Sequence, residues 1–167
     1  MQKNNRASRD DEHYRKQEND ALTSRGNQKT TRLNLRIPSQ TEKLNVAREF
    51  VADAAKVFGF KEDDVNNIAL AVDEACTNII KHAYSYASDK EIDIVVSMKK
   101  PEFEILIQDK GKHFNPNQIP VPNMKEYMSH YKRGGLGMYL MKKLMDKVEY
   151  SIHPKKNVVR LIKYLHP

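Results

Sequence analysis

Apolar positions recur along this chain with two periods, and the switches between them lay out its elements. From Arg32 to Ile37, Leu33, Leu35 and Ile37 alternate with Asn34 and Arg36, which predicts a half-buried strand that Pro38 ends. Ser39-Gln40-Thr41-Glu42 has the pattern of a capping box. Leu44, Ala47, Val51, Ala54, Ala55 and Phe58 then follow at helical spacing until Gly59. A second helix begins at Asp63 or Asp64, where a negative first turn suits the helix dipole. Along it Ile68, Val72, Ala75, Ile79 and Ala83 form one apolar stripe.

Period two returns at Ile92, Ile94, Val96 and Met98, and again at Phe103, Ile105 and Ile107. With the turn from Lys99 to Glu102 these two runs predict an antiparallel hairpin. A helix from Leu136 to Asp146 comes next, then a strand through Val148, Tyr150 and Ile152. Pro154 to Asn157 make a turn, and Val158 to Leu165 form a closing strand. The order is β-α-α-β-β-lid-α-β-β. It predicts an α+β two-layer sandwich, a mixed and mainly antiparallel sheet with three helices on one face.

Two stretches carry no such period. Residues 1–30 are polar, with Leu22 their one branched aliphatic, so they cannot bury enough surface to offset the entropy of ordering. They are expected to be a disordered tail that forms at most a transient helix from Asp10 to Leu22, leaving 31–167 as the folded domain. Between Asn115 and Lys132, Pro116, Pro120 and Pro122 precede a short helical pattern from Met124 to Tyr131. A long connection of this kind inside a compact domain predicts a mobile lid.

The totals narrow the class. No apolar run approaches the roughly 18 residues of a membrane span, and the N-terminus has no apolar signal-peptide core, so a cytoplasmic protein without membrane contact is expected. The single cysteine, Cys76, lies on the apolar side of the second helix, where a small buried residue is expected rather than a reactive thiol. A net charge of +7 raises the question of nucleic acid. Acidic and basic residues are mixed throughout, however, and no basic and aromatic interleaving offers a stacking platform. Direct nucleic-acid binding is therefore not expected; anionic phosphates and an acidic protein partner suit the charge better. The six histidines have no metal spacing, and neither Ser85 nor Ser129 has a convincing base partner, which argues against a zinc site or a serine hydrolase.

The candidate chemistry lies beside the apolar stripe. Glu74 and Asn78, four apart, fall together on its flank, a pairing suited to proton abstraction beside an oxygen-liganded Mg²⁺. Asp109 ends a strand beside that helix, and Gly111 lets the chain turn and a ligand approach the backbone. Gly134, Gly135 and Gly137 surround the start of the third helix, where unobstructed N–H groups form an anion site.

The order E-x-x-x-N, then D-x-G-x-x-F-x-P (Asp109 to Pro116), then G-G-L-G (Gly134 to Gly137) resembles the motif boxes of the GHKL, or Bergerat-fold, ATPases. Within that group, DEACTNIIKHAY and RGGLGMYLMKKLMDKVEY are similar to the anti-sigma-factor serine kinases of the RsbW type, over about Leu33 to Leu165. The resemblance implies the same sandwich, and ATP and Mg²⁺ as cofactors. It implies that Asp109 reads the adenine amino group with Gly111 allowing close approach, that Asn78 coordinates Mg²⁺ and that Glu74 is the base. Gly134, Gly135 and Gly137 would wrap the phosphates, with Arg133 placed to neutralise their terminal charge. It also implies a sigma factor to sequester, a STAS-type anti-anti-sigma protein to phosphorylate, and a homodimer.

One departure stands out: the family commonly has a Gly-Thr pair before its last strand, where this chain has Lys156-Asn157-Val158, with Asn157 a substitute hydrogen-bonding group. His82 and Tyr84 read as structural, and Lys110 and Lys112 as solvated charges first. The leading function is thus an ATP-dependent protein serine/threonine kinase. The alternative is a nucleotide-binding regulatory module that sequesters its partner without phosphotransfer. The ATPase part of a histidine kinase is disfavoured, because the polar first 30 residues lack the heptads of a phospho-acceptor helix.

Overall fold

Period-two and period-3.6 segments fold into two layers in the computed structural model, which describes Gln17–Glu18 and residues 29–113 and 136–166. The strands are β1 (Gln17–Glu18), β2 (Thr31–Pro38), β3 (Glu91–Lys99), β4 (Glu102–Asp109), β5 (Lys147–His153) and β6 (Lys156–Tyr164). The helices are α1 (Leu44–Phe58), α2 (Glu62–Asn78), continued by a π-helical turn at Ile79–Ala83, and α3 (Leu136–Leu144). The proposed lid from Asn115 to Lys132 lies outside the described residues, as does most of the segment 1–30, of which β1 and residues 29–30 are described.

The sheet runs β1-β2-β3-β4-β6-β5, and each of its five pairings is antiparallel. The α+β sandwich expected from the sequence is what the chain forms, and the anticipated parallel component is absent among the described residues. With two helices between them, β3 returns antiparallel to β2. β5 points the same way as β4, and β6 inserts between the two.

One face of the sheet holds Ile37, Ile92, Ile94, Val96, Phe103, Ile105, Ile107 and Leu161, which are buried against the helices. Each fully buried side chain of this size contributes about 1.5–3 kcal/mol relative to exposure. The six α1 residues picked out by spacing are its buried residues, and Gly59 closes that helix in the left-handed region at φ +112°. The stripe from Ile68 to Ala83 is buried as well. α2 lies between α1 and α3 and packs on both.

Two local expectations fail for tertiary reasons. Ser39 does not cap a helix: it is buried, its hydroxyl donates to the Ala87 carbonyl at 2.5 Å and accepts from the Lys90 N–H at 3.2 Å. A hydroxyl bound across the fold in this way is lost to the capping box, and a 3₁₀ turn, Thr41–Lys43, leads into α1 without a side-chain cap. The end of α2 is the second case. The Tyr84 N–H reaches back five residues to the Ile79 carbonyl at 3.0 Å, so the helix widens into a π turn directly after Asn78. Ser85 and Tyr86, at φ 50° and 63°, then turn the chain out through the left-handed region at a cost of about 1–2 kcal/mol each.

Candidate functional site

The corner where α2 meets the ends of β4 and β6 collects the polar residues that the core would otherwise reject. Asp109 occupies the next inward-facing position after Phe103, Ile105 and Ile107, so a carboxylate stands where an apolar side chain is the rule, and it is 4% exposed. Its Oδ1 accepts from the Gly111 N–H and from Asn157 Nδ2, both at 2.8 Å. Burial pushes its pKa above the ordinary carboxylate range, and these two donors, with the nearby His113, work against that push.

Gly111 is required where it sits: a Cβ there would lie 2.5 Å from the Ala83 carbonyl oxygen. The next N–H, of Lys112, donates to that same oxygen at 2.9 Å. Tyr84 adds a second fastening, its hydroxyl donating to the Glu91 carbonyl at 2.6 Å and accepting from the Lys110 N–H at 3.0 Å. Thus the turn after β4 is held against the π end of α2. Tyr84 is structural, as the sequence suggested, and Lys110 and Lys112 are exposed.

Glu74 and Asn78 lie on α2 one turn apart, both half-buried. The Asn78 Nδ2 atom is buried with no hydrogen-bond partner among the described residues. A buried amide end left unpaired costs about 1–3 kcal/mol, so it fits a group that a ligand completes. Asn78, Asp109, Asn157, Met141, Tyr150 and Val159 line a small, partly open cavity, which draws on α2, α3 and three strands. Glu74 is not part of that lining. Its carboxylate packs beneath Gly137 in the first turn of α3, where a Cβ would collide with Glu74 Oε2. Burial raises the Glu74 pKa first, the charge of Asp73 raises it further, and Lys81 opposes both. Asp73 itself is ion-paired with Arg48 of α1 at 2.8 Å.

The structure therefore brings Asn78, Asp109 and Gly111 to one corner and sets Glu74 and Gly137 together at its edge. Arg133, Gly134 and Gly135 lie outside the described residues. Sequence reasoning gave His113 no role and left Asn157 as a bare substitute. Both join the Asp109 network: His113 Nδ1 lies 2.7 Å from Asn157 Oδ1, and Asn157 faces Asp109 directly in the β4–β6 register. That register was the missing signal, because it depends on β6 lying between β4 and β5. Cys76 is fully buried, and burial raises its pKa, as suits an unreactive thiol.

An α+β sandwich with a polar corner of this kind defines a class of nucleotide-binding domain, and comparison with known proteins narrows it. The model of the histidine kinase-like ATPase domain matches residues 37–163. The serine-protein kinase RsbW of Bacillus mycoides is 31% identical over 142 residues, covering 83% of this chain and 88% of that protein. RsbW of Bacillus cereus is 31% identical over 138 residues, covering 80% and 85%. The chain belongs to the histidine kinase-like ATPase family, within its RsbW-type group of anti-sigma-factor kinases.

Two solved structures share the fold. A Mycobacterium tuberculosis structure of RsbU and RsbW domains superposes with a TM-score of 0.59 at 14% identity, over 82% of this chain and 32% of that one. The SiaB–SiaC complex of Pseudomonas aeruginosa gives a TM-score of 0.53 at 10% identity, over 80% and 89%. The family is one of ATPase domains, so ATP is the ligand its shared fold implies. No helix among the described residues is long and apolar enough to cross a membrane.

Proposed function

We propose that this chain is an ATP-dependent protein serine/threonine kinase that sequesters a sigma factor, in the cytoplasm, and phosphorylates a STAS-type anti-anti-sigma protein. One constellation carries the reading: a half-buried carboxylate, Glu74, one helical turn before the unpartnered amide of Asn78, beside a cavity that the buried Asp109 lines. The RsbW relatives, named serine-protein kinases, support the same class of activity.

In this reading Asp109 accepts the adenine amino group, and Gly111 keeps the backbone clear for the base. Among the described residues no group of three or more His, Cys, Asp or Glu side chains gathers to hold a metal. A Mg²⁺ ion would therefore take its protein oxygen from Asn78 and the rest from phosphates and water. Turning the Asn78 amide over would place Oδ1 where the unpartnered Nδ2 now sits. When bound, the ion offsets phosphate charge as the γ-phosphoryl group transfers. Gly137, with Arg133, Gly134 and Gly135 before it, would offer N–H groups and a guanidinium to the phosphates. Glu74 takes the proton of the attacking serine or threonine hydroxyl. That oxygen bonds to the γ-phosphorus as the bond to the β–γ bridging oxygen breaks, and ADP departs. We further propose that the protein acts as a homodimer, in line with the family resemblance.

The test is transfer itself. Incubation with γ-labelled ATP, Mg²⁺ and a co-purified STAS-domain partner should place label on a serine or threonine of that partner. A protein that binds ATP and partner and never labels the partner is the sequestration module instead.

A further inference from the structure

Asn157 bonds at both ends of its amide, and the partners fix which end is which. Nδ2 lies 2.8 Å from Asp109 Oδ1, 3.3 Å from the Lys112 carbonyl and 3.4 Å from that of Gly111, all acceptors, so this end of the amide is the NH₂ donor. The other end, Oδ1, is 2.7 Å from His113 Nδ1, so that nitrogen must carry the hydrogen. His113 can supply it as the neutral δ tautomer or as the imidazolium. The result is a directed chain, from His113 to Asn157 to Asp109. With the Gly111 N–H also donating to Asp109 Oδ1, one carboxylate oxygen is filled by two donors, and no donor among the described residues reaches Oδ2.

We infer that Asn157, anchored by His113, is a positioning residue that holds Asp109 as a pure hydrogen-bond acceptor and so sets a preference for 6-amino over 6-oxo purine nucleotides. The inference rests on the reading of Asp109 as the adenine acceptor. Burial at 4% exposure favours a protonated Asp109, which would present a donor to the base, and each N–H on Oδ1 favours the ionised form. Removal of the Asn157 donor leaves one N–H against the full desolvation. The other charged or titratable groups that border the neighbouring cavity with Asp109 are Tyr84 beyond α2, Asp89 and Lys90 before β3, Glu91 and Asp93 of β3, Lys110 after β4 and Lys156 of β6. Lys156 is engaged with Gln108 at 3.1 Å. In the cavity on the helix side the neighbours are the uncharged Asn78 of α2 and Met141 of α3, with Tyr150 of β5 beside them. Among these groups, Asn157 is the side chain that donates to the Asp109 carboxylate.

Calorimetric titration of the full chain with ATP and with inosine triphosphate, whose 6-oxo group accepts where the adenine amino group donates, reads the preference directly. The wild type should favour ATP. Asn157→Ala should lower the ATP-to-inosine-triphosphate affinity ratio about tenfold, and its ATP affinity should recover as pH rises and Asp109 loses its proton. His113→Phe, at an exposed position, should shift the ratio the same way by about threefold, because the amide loses its anchor. If Asn157→Ala does not fold, the His113→Phe ratio decides alone. Asp109→Asn separates the two layers of the claim. A ratio that collapses in Asp109→Asn but holds, without pH dependence, in folded Asn157→Ala and His113→Phe overturns this inference alone. A wild type indifferent to the base, or an Asp109→Asn variant with the wild-type ratio, overturns the adenine reading and this inference with it.

Discussion

Glu74 and Asn78 are neighbours on one helix, yet burial asks different things of them. Asn78 has a buried amide end with nothing in the described protein to bond, so its replacement should harm ligand binding more than folding. Asn78→Ala is expected to weaken Mg²⁺-dependent ATP binding about tenfold or more, with little change in melting temperature. Titration with and without Mg²⁺ checks this, and equal losses in both arms would remove Asn78 from the metal site. Glu74 is a base whose raised pKa comes first from burial and then from Asp73. A base works only when deprotonated, so phosphotransfer should fall on the acid side at a pH above the ordinary glutamate range. Asp73→Asn removes the second cause and should move that limb to lower pH. The sign for stability is the reverse of a salt-bridged carboxylate: with the folded value raised, the unliganded protein loses stability as pH rises through it. Glu74→Gln should flatten that slope in pH-dependent melting.

Contacts between elements carry the next level of the site. The first turn of α3 rests on the Glu74 carboxylate through Gly137, and a Cβ at that position would also lie 3.2 Å from Glu74 Cδ. Gly137→Ala should therefore push α3 away or swing the carboxylate aside, at about 1–3 kcal/mol of stability, with a clear loss of phosphotransfer. Wild-type melting and wild-type rate together would show that the contact is slack. Elements of this kind were legible where the determinant is local. All six buried positions of α1 follow from spacing alone, and the hairpin β3–β4 follows from two period-two runs and a short turn. The cap at Ser39 was misread because its partners, Ala87 and Lys90, lie about fifty residues away. The π turn after Asn78 was invisible for a related reason: Ile79, Ile80 and Ala83 satisfy a helical stripe, and the wider turn is fixed from outside, by Tyr84 and the turn at Gly111.

At the scale of the whole molecule, the order of the sheet decides which polar residues meet. Motif spacing alone marked Glu74, Asn78, Asp109, Gly111 and Gly137. It could not pair Asp109 with Asn157, because that pairing needs β6 between β4 and β5, and a strand list in chain order does not contain it. The same antiparallel sheet leaves α2 central among the helices, so one buried helix carries both Glu74 and Asn78 to the corner that β4 and β6 close. The central claim is that this corner transfers phosphate and that Glu74 is its base. The most direct measurement compares wild type and Glu74→Gln side by side for ATP affinity and for transfer of labelled phosphate to a STAS-domain partner. Glutamine keeps the size and hydrogen-bonding reach of Glu74 and lacks its basic oxygen. The account predicts unchanged ATP binding with transfer reduced about 10²-fold or more. Transfer at the wild-type rate in the Glu74→Gln protein would contradict it.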